Sequence, residues 1–489
     1  MSGPATTAEA REALGFAEFS RVHPGYSATE YLDRIRREDF ARLDDQDLVY
    51  LDYTGSGLPG RSQVAAFQQV LCGDTWGNPH SENGPSRRST EAMRRAREET
   101  LQFLNADPDE YSVIFTANAT GALRLVGEAF PFGPGSRFAL LQDNHNSVLG
   151  IRDFARARGA VVEAIPLRPD LRAATATVVE ALDPKGASPS LFAYPAQSNF
   201  SGVKHPLGWI REAHLRGWRV ALDAAAYLAL SDLDLSRDKP DFVPLSYYKI
   251  FGWPTGLGCL VARDEALAEL RRPWFSGGTV VASSALGGWH APAAPPEGFE
   301  DGTPDFTGVL GVPIGLTYVR ETLGREGART RVRHLMSHLL DEMRELRHTN
   351  GRPLCVVYGP DGMEDRGAAI AFNLLDADGV LVDERPVENS AARNGIALRA
   401  GCFCNPGVGE TIFALDPEDL LRAGRRPALS TAEEYRRAVR LPTGGALRIS
   451  LGPVSNLRDI SRLIGFLTSW RDHHADDDDI SGLPERARC

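Results

Sequence analysis

The sequence predicts an α/β fold with a mostly parallel sheet. Between about residues 112 and 263, short β-branched or apolar runs alternate with stretches of helix length. This alternation is typical of parallel strands whose connecting helices cover the sheet. Ligands of such folds bind at the carboxyl ends of the strands. The predicted strands are residues 112–117, 137–142, 161–167, 190–196, 218–224 and 258–261, and the predicted helices include 147–158 and 206–216.

A smaller α+β domain is predicted after a Gly-, Pro- and Ala-rich stretch at residues 285–304 that breaks the periodicity. Residues 325–346 form a long amphipathic pattern that predicts the helix entering this domain. Its other predicted elements are strands 355–358, 368–375 and 447–451 and a closing helix at 456–470. We therefore divide the chain into an N-terminal helical segment (1–45), a large domain (46–310), a small domain (311–471) and an acidic tail (472–489).

Composition excludes several classes of function. The 489-residue chain has 42% hydrophobic residues and a formal net charge of −11, which disfavours nucleic acid or an anionic membrane as the main partner. No apolar run approaches the roughly 18 residues that span a bilayer, and a cytoplasmic location is predicted. There is no Cys-x-x-Cys pair, and we predict no metal site.

Lysine is rare in this chain, and one lysine has an unusual setting. Only four of the 54 basic residues are lysine, and arginine cannot supply a deprotonated amine. Lys249 lies among aromatic and apolar residues, whereas Lys185, Lys204 and Lys239 lie in turn-like sequence. Burial would lower the pKa of the Lys249 amine, as a lysine that bonds covalently to a carbonyl requires. The alternative is a lysine that extends from a strand end to solvent.

Two further features fit an anionic, ring-containing ligand. Asp223 ends a predicted strand, where its carboxylate would face the ligand crevice and could hold a pyridinium nitrogen protonated. Residues 118–122 (NATGA) begin a helix with small residues and a hydroxyl, which suits a phosphate. A plain helix cap is the alternative for this second motif.

The order of these motifs resembles the class V aminotransferase and cysteine desulfurase family, and more narrowly the N-terminal domain of the molybdenum cofactor sulfurases. The similarity covers about residues 48–470. The most specific motifs are 246–258 (SYYKIFGWPTGLG) and 399–405 (RAGCFCN). The others are 50–53 (YLDY), 77–80 (GNPH), 116–121, 143–146 (DNHN), 197–199 (QSN), 222–225 (LDAA), 299–303 (FEDGT) and 448–452 (RISLG).

The resemblance implies a fold-type I enzyme with pyridoxal 5′-phosphate as cofactor. In it Lys249 bonds to the cofactor aldehyde, Asp223 binds the pyridine nitrogen, and His145 stacks on the ring and takes part in catalysis. Its remaining implied contacts are Ala119, Thr120 and Ser246 to the phosphate, Gly302 and Thr303 to the phosphate from the second subunit of a homodimer, and Asn199 near the cofactor hydroxyl or the substrate. Ala226 stands where many members of the family have glutamine or histidine, and we expect Gln197 to compensate.

The 399–405 motif implies the substrate-handling residues. Arg399 is the expected clamp for the substrate carboxylate, because its planar fork can bind both oxygens. Cys404 is the expected sulfur-accepting thiol, and Cys402 would point elsewhere. Without the resemblance, Arg399 would be read as a surface ion pair and either thiol as a small buried hydrophobe.

The predicted function is a cysteine desulfurase that moves sulfur from L-cysteine, or a related amino acid, to Cys404 as a persulfide and releases alanine. A protein or small molecule would then accept the sulfur. The molybdenum cofactor sulfurases continue into a C-terminal cofactor-binding domain, and we expect no counterpart of that domain after the predicted closing helix of this sequence. We therefore keep C–S lyase, epimerase or other carbanion chemistry as the alternative. A silent scaffold or sulfur-carrier partner is a further one.

Overall fold

The computed structural model describes residues 16–183, 188–425 and 429–474, and its largest feature is a seven-stranded sheet. The strands are β1 Tyr111–Thr116, β2 Arg137–Leu141, β3 Val161–Ile165, β4 Ser190–Pro195, β5 Trp218–Asp223, β6 Phe242–Ser246 and β7 Gly258–Arg263. Their order is β1-β7-β6-β5-β4-β2-β3, and only β7 runs antiparallel to its neighbours. The fold is therefore α/β with a mostly parallel sheet, as predicted.

All six predicted strands of this sheet are present, together with a seventh, β6, that was not predicted. Pro244 lies in the middle of β6, and proline argues against a central strand because it has no N–H to donate. The structure accommodates it because β6 pairs with β5 at a single register position, Ala221 with Phe242. The missed strand matters, since it leads directly to Lys249.

Helices cover both faces of the sheet. Along β5, Val220 and Leu222 belong to one buried apolar cluster and Ala221 to another on the opposite face. Burial on both faces is typical of parallel sheets. The helices around it are Arg61–Gly73, Gly84–Phe103, α1 Ala119–Ala129, Asn146–Leu149, Ile151–Ala157, Thr175–Ala181, Gly208–His214, Leu235–Asp238, α2 Tyr247–Phe251, Asp264–Leu267 and Gly311–Thr317.

A β-hairpin follows the large sheet, in part where the sequence predicted only irregular chain. Its strands are β8 Val280–Ser284 and β9 Trp289–Pro292, paired antiparallel. Its apolar side chains are exposed: Val281 has 77% of its surface accessible and Trp289 54%.

The second sheet has four antiparallel strands, and its three predicted strands are present. They are β10 Cys355–Tyr358, β11 Ala369–Leu374, β12 Arg399–Gly401 and β13 Ala446–Ser450, in the order β10-β11-β13-β12. The long predicted helix is α3, Arg325–Glu345, whose Leu335 and Leu339 pack in one cluster with Ile370 and Phe372 of β11. The other helices here are Glu384–Arg393, α4 Pro406–Ile412, Pro417–Gly424, Ala432–Val439 and Leu457–Thr468.

The described part of the N-terminal segment is helical and packs in both large apolar clusters, Leu32 and Ile35 in one and Phe19 and Tyr26 in the other. It contains helices Tyr31–Asp39 and Ala41–Asp45, after which Val49–Tyr50 pairs in parallel with Ile396–Ala397. Residues 1–15 of this segment, Lys185 and residues 475–489 of the predicted acidic tail lie outside the described part of the chain. In the described part, no helix combines the length and the apolar character needed to cross a membrane.

Candidate active site

A cavity of about 210 Å³ lies at the carboxyl ends of β5 and β6, beside the start of α1. This is the edge of a parallel sheet where ligands bind. The predicted cofactor residues that line it are Ala119, Thr120, His145, Gln197, Asn199, Asp223, Ser246 and Lys249. The fold thus brings eight predicted residues from five separate segments to one place.

One end of the cavity is suited to a phosphate. The Ala119 N–H donates to Ser246 Oγ at 2.9 Å, and the hydroxyls of Thr120 and Ser147 are 2.8 Å apart. Asn118 caps α1 by accepting from the Gly121 N–H at 2.9 Å. Hydroxyls and N–H groups at a helix N-terminus bind anions, because the helix dipole favours negative charge there. Ser147 was not among the predicted residues.

Lys249 lies on α2, which begins directly after β6. Ser246 is the extended residue before this helix, and Gly252 ends it with a φ of 80°. A Cβ on Gly252 would lie 2.3 Å from the backbone of Leu58 and Pro59, so the turn requires glycine. Burial lowers the pKa of the Lys249 amine, while Asp223 and Cys404 oppose this effect. The neutral amine is therefore more accessible than in an exposed lysine.

Asp223 and His145 provide an anionic and an aromatic contact. Asp223 ends β5 and is 8% exposed, and its Oδ1 accepts from the Ala225 N–H at 2.9 Å. His145 Nδ1 accepts from the Ser147 N–H at 3.1 Å, so Nε2 carries the proton of the neutral ring. Burial lowers the pKa of His145, which favours this neutral form.

These features fit pyridoxal phosphate. The phosphate matches the start of α1, the aldehyde matches the Lys249 amine, and the ring nitrogen matches the Asp223 carboxylate. The cofactor also needs a flat group against its ring, which His145 offers. Gln197 lines the cavity, but its Nε2 donates to the Ala226 carbonyl at 3.0 Å.

Cys404 lies beside this cavity in a tight turn between β12 and α4. Phe403 and Cys404 both have a φ of 54°, in the left-handed region. The Asn146 N–H, next to His145, donates to the Cys404 carbonyl at 2.7 Å. Cys404 is a partly exposed thiol, close enough to Lys249 to affect its pKa. Cys402 is 7% exposed and lines a separate small cavity.

Asparagines attach the Cys404 turn to the cofactor cavity. Asn199 Nδ2 donates to the Phe403 carbonyl at 2.7 Å, and its Oδ1 accepts from Asn405 Nδ2 at 3.0 Å. Asn405 Nδ2 also donates to the Asp143 carbonyl at 2.7 Å. Asn199 therefore lines the cavity while its amide holds the turn, a role that the sequence analysis did not predict. Asn405 ends the 399–405 motif, and no role was predicted for it from the sequence.

Arg399 is paired within the chain. Its Nε and Nη2 donate to Asp52 Oδ2 at 2.9 and 2.7 Å, while Arg448 Nη2 donates to Asp52 Oδ1 at 2.8 Å. The Arg399 side chain is 50% exposed, whereas that of Arg448 is 3% exposed. Arg448 Nη1 also donates to the Asn199 carbonyl at 2.7 Å. Asp52 lies in the 50–53 motif and Arg448 in the 448–452 motif, but no local pattern in the sequence indicates that the two residues pair.

Gly302 and Thr303 lie outside this cavity. Thr303 is exposed, and Gly302 has a φ of 96°. The preceding Asp301 binds Arg124 at 3.0 Å and Arg272 at 2.5 Å. Gly302 and Thr303 therefore do not line the cofactor cavity of their own chain.

Comparisons with known proteins identify the family of this chain. The aminotransferase class V family matches residues 49–463. Molybdenum cofactor sulfurase of Bos taurus is 37% identical over 489 residues, covering 94% of this chain and 55% of the relative. The Arabidopsis thaliana protein of that name is 34% identical over 491 residues, covering 92% and 60%. The chain thus spans about half the length of these relatives.

Solved structures share the fold. The apo structure of a cysteine desulfurase from Thermococcus onnurineus superimposes with a TM-score of 0.74 at 22% identity, covering 89% of this chain and 97% of that one. The cystine C-S lyase C-DES gives a TM-score of 0.65 at 16% identity, covering 87% and 98%. From the extent of the family match and the identity to its relatives, this chain belongs to the class V aminotransferase family.

Proposed function

We propose that this chain is a pyridoxal-phosphate-dependent cysteine desulfurase that transfers sulfur from L-cysteine to Cys404 and releases alanine. The observation that carries the proposal is the convergence of Lys249, Asp223 and the Cys404 turn on one cavity. Its relatives are named as sulfurases, and a structure titled as a cysteine desulfurase shares the fold.

The cofactor side of the reaction is carried by two residues. When bound, pyridoxal phosphate supplies an electron sink for negative charge at the substrate Cα. Lys249 takes the Cα proton, since burial lowers its pKa and makes the neutral amine available. Asp223 keeps a proton on the ring nitrogen, because its carboxylate stabilises the positive charge there.

The sulfur side is carried by Arg399 and Cys404. The Arg399 bonds to Asp52 use Nε and Nη2, so Nη1 remains to bind the substrate carboxylate. The Cys404 thiolate then attacks the substrate sulfur, forming the S–S bond of a persulfide while the Cβ–S bond of the substrate breaks. The electron pair of the broken bond stays on the carbon side, which takes up protons to become alanine. The turn that contains Cys404 is fixed beside the cavity by Asn199 and Asn146. A protein or small molecule removes the sulfur from Cys404.

The proposal includes a homodimer. Gly302 and the exposed Thr303 would complete the phosphate site of the partner subunit. The exposed apolar residues of the β8–β9 hairpin, Val281, Leu286 and Trp289, support a covered surface near this segment. The proposal also places the enzyme in the cytoplasm.

Incubation of the cofactor-loaded protein with L-cysteine tests the proposal. We expect alanine and protein-bound persulfide in equal amounts in the first turnover, before an acceptor is added. Pyruvate without persulfide would indicate a C–S lyase instead, and no product together with no cofactor absorbance would indicate a silent scaffold.

A further inference from the structure

A second cavity adjoins the cofactor cavity. It has a volume of about 530 Å³ and is lined in part by α3 and by the chain that precedes β11. Four residues line both cavities, namely Gln197, Ala225, Ala226 and Lys249. Ala225 and Ala226 have small side chains and form part of this shared boundary. A molecule in the second cavity would therefore lie directly beside the cofactor site.

The charge of this cavity is strongly positive. Besides Lys249, its lining includes Lys204, Arg329, Arg333 and Arg366. Among the described residues that line it, Glu326 has the only carboxylate. In a chain of net charge −11, such a concentration of cations is local rather than general.

Two of these cations already have fixed roles. Arg366 is 3% exposed and donates to the backbone carbonyls of four residues, so it holds the chain together. Arg329 pairs with Asp232, which also binds Arg325 at 2.6 Å. These two arginines are structural, although they add to the positive potential.

Lys204 and Arg333 have no comparable structural role. Within residues 16–183, 188–425 and 429–474, neither has a carboxylate at ion-pair distance; Lys204 lies 5.7 Å from the centre of the Tyr227 ring. Burial lowers the pKa of Lys204, and Arg329 and Arg333 lower it further, with Asp365 opposing. The cations therefore lie near enough to repel one another, an arrangement that a bound anion would relieve.

We propose that this second cavity binds a small molecule with a phosphate or carboxylate group, held by Lys204 and Arg333. Both side chains are suited to oxyanions, the ammonium as a point charge and the guanidinium as a planar fork. The cavity has the volume of a small-molecule site, and Leu230, Val332 and Met363 supply apolar wall for the rest of the ligand. This inference goes beyond the proposed desulfurase function and does not depend on it.

The test is isothermal titration of the cofactor-loaded protein with pyrophosphate and, separately, with citrate, against sodium chloride at matched ionic strength. Loading the cofactor blocks the phosphate site at α1. We expect saturable binding of one anion per chain in at least one of the two titrations. Pyrophosphate alone would identify a phosphate ligand, and citrate alone a carboxylate ligand.

Matched variants assign the binding to this cavity. Lys204→Met and Arg333→Met should each raise Kd roughly tenfold, since each removes a charge-assisted contact. Lys239→Met and Arg211→Met, which change a lysine and an exposed arginine elsewhere, should leave it unchanged. Lys204→Arg should retain binding and shows that the position tolerates substitution.

Binding that is no greater than with chloride, or that is equally strong in Lys204→Met, would overturn the proposal. Because the titration needs no turnover, this outcome is distinguishable from failure of the alanine and persulfide assay.

Discussion

The two sides of the cofactor cavity are built differently. The cofactor side, which we define as Ala119, Asp223, Ser246 and Lys249, comes from the ends of neighbouring strands and the helices that follow them. The thiol side, defined as Arg399 and Cys404, comes from the edge strand β12 of the second sheet and the turn that follows it. The cofactor side is positioned by a sheet buried on both faces. The thiol side is held by the pairing of one edge strand and, beyond it, largely by hydrogen bonds of the side chains of Asp52 and Asn199.

This difference determines how each side should respond to mutation. On the thiol side, Asp52 joins Arg399 to Arg448, and Asn199 joins the Phe403 carbonyl to Asn405. A single polar substitution there can change geometry without unfolding the core. On the cofactor side, the same type of change should remove chemistry while leaving the geometry intact.

The largest effect is expected at Lys249. Lys249→Ala removes the buried amine that takes the Cα proton, and turnover of L-cysteine should fall by at least roughly 10³-fold. The far-ultraviolet circular dichroism should be unchanged, since the Lys249 side chain makes no hydrogen bond within the described part of the chain. Lys239→Ala, which removes a lysine paired with Glu110, is the control. A borohydride-reducible cofactor adduct on another lysine of the variant would contradict the assignment.

Cys404 tests the thiol side. Cys404→Ala should still show the change in cofactor absorbance on addition of L-cysteine, because the cofactor side is complete. Alanine release should fall roughly 10²-fold or more, since no thiolate remains to attack the sulfur. Cys402→Ala should be milder, as Cys402 is buried at a separate cavity. Full turnover of Cys404→Ala with pyruvate as product would instead support a lyase.

A smaller effect is expected at Arg399. Arg399→Lys keeps the charge and the contact with Asp52 but loses the planar fork. The KM for L-cysteine should rise roughly tenfold, with a smaller change in kcat, because a lysine cannot bind Asp52 and a carboxylate together in that geometry. Arg320→Lys, at an ion pair with Glu99 outside the site, is the matched control. An unchanged KM would remove Arg399 from substrate binding.

The same contrast explains what could be predicted from the sequence. The cofactor side follows from local patterns, since a strand that ends in Asp223 and a cap at Asn118 are visible in short windows. The thiol side requires contacts such as Asp52 with Arg399, 347 residues apart, which no local pattern indicates. Strand β6 was not predicted for a different reason. Pro244 makes its sequence unlike that of a central strand. Its pairing with β5 at a single position, which allows a proline there, can be seen only in the three-dimensional structure.

The smallest effect is expected outside both sides, where the N-terminal segment packs on α3. His23 is 8% exposed, and its Nδ1 lies 3.3 Å from that of His334. Burial lowers the pKa of His23, and His334 and His338 lower it further, while Asp341 opposes. Burial and Arg333 also lower the pKa of His334. Both rings are therefore harder to protonate in the folded protein than in the unfolded chain.

Because the folded pKa lies below the unfolded value of about 6.5, the neutral rings stabilise the fold fully above that pH, and this stability is lost as the pH falls below it. We expect Tm to decrease between about pH 7 and pH 5.5, and the decrease to be smaller in His23→Phe, which keeps the aromatic contact with Phe19. His80→Phe, at an exposed histidine, should follow the original protein. A pH profile of Tm that is identical in His23→Phe and the original would show that this cluster does not set the acid response.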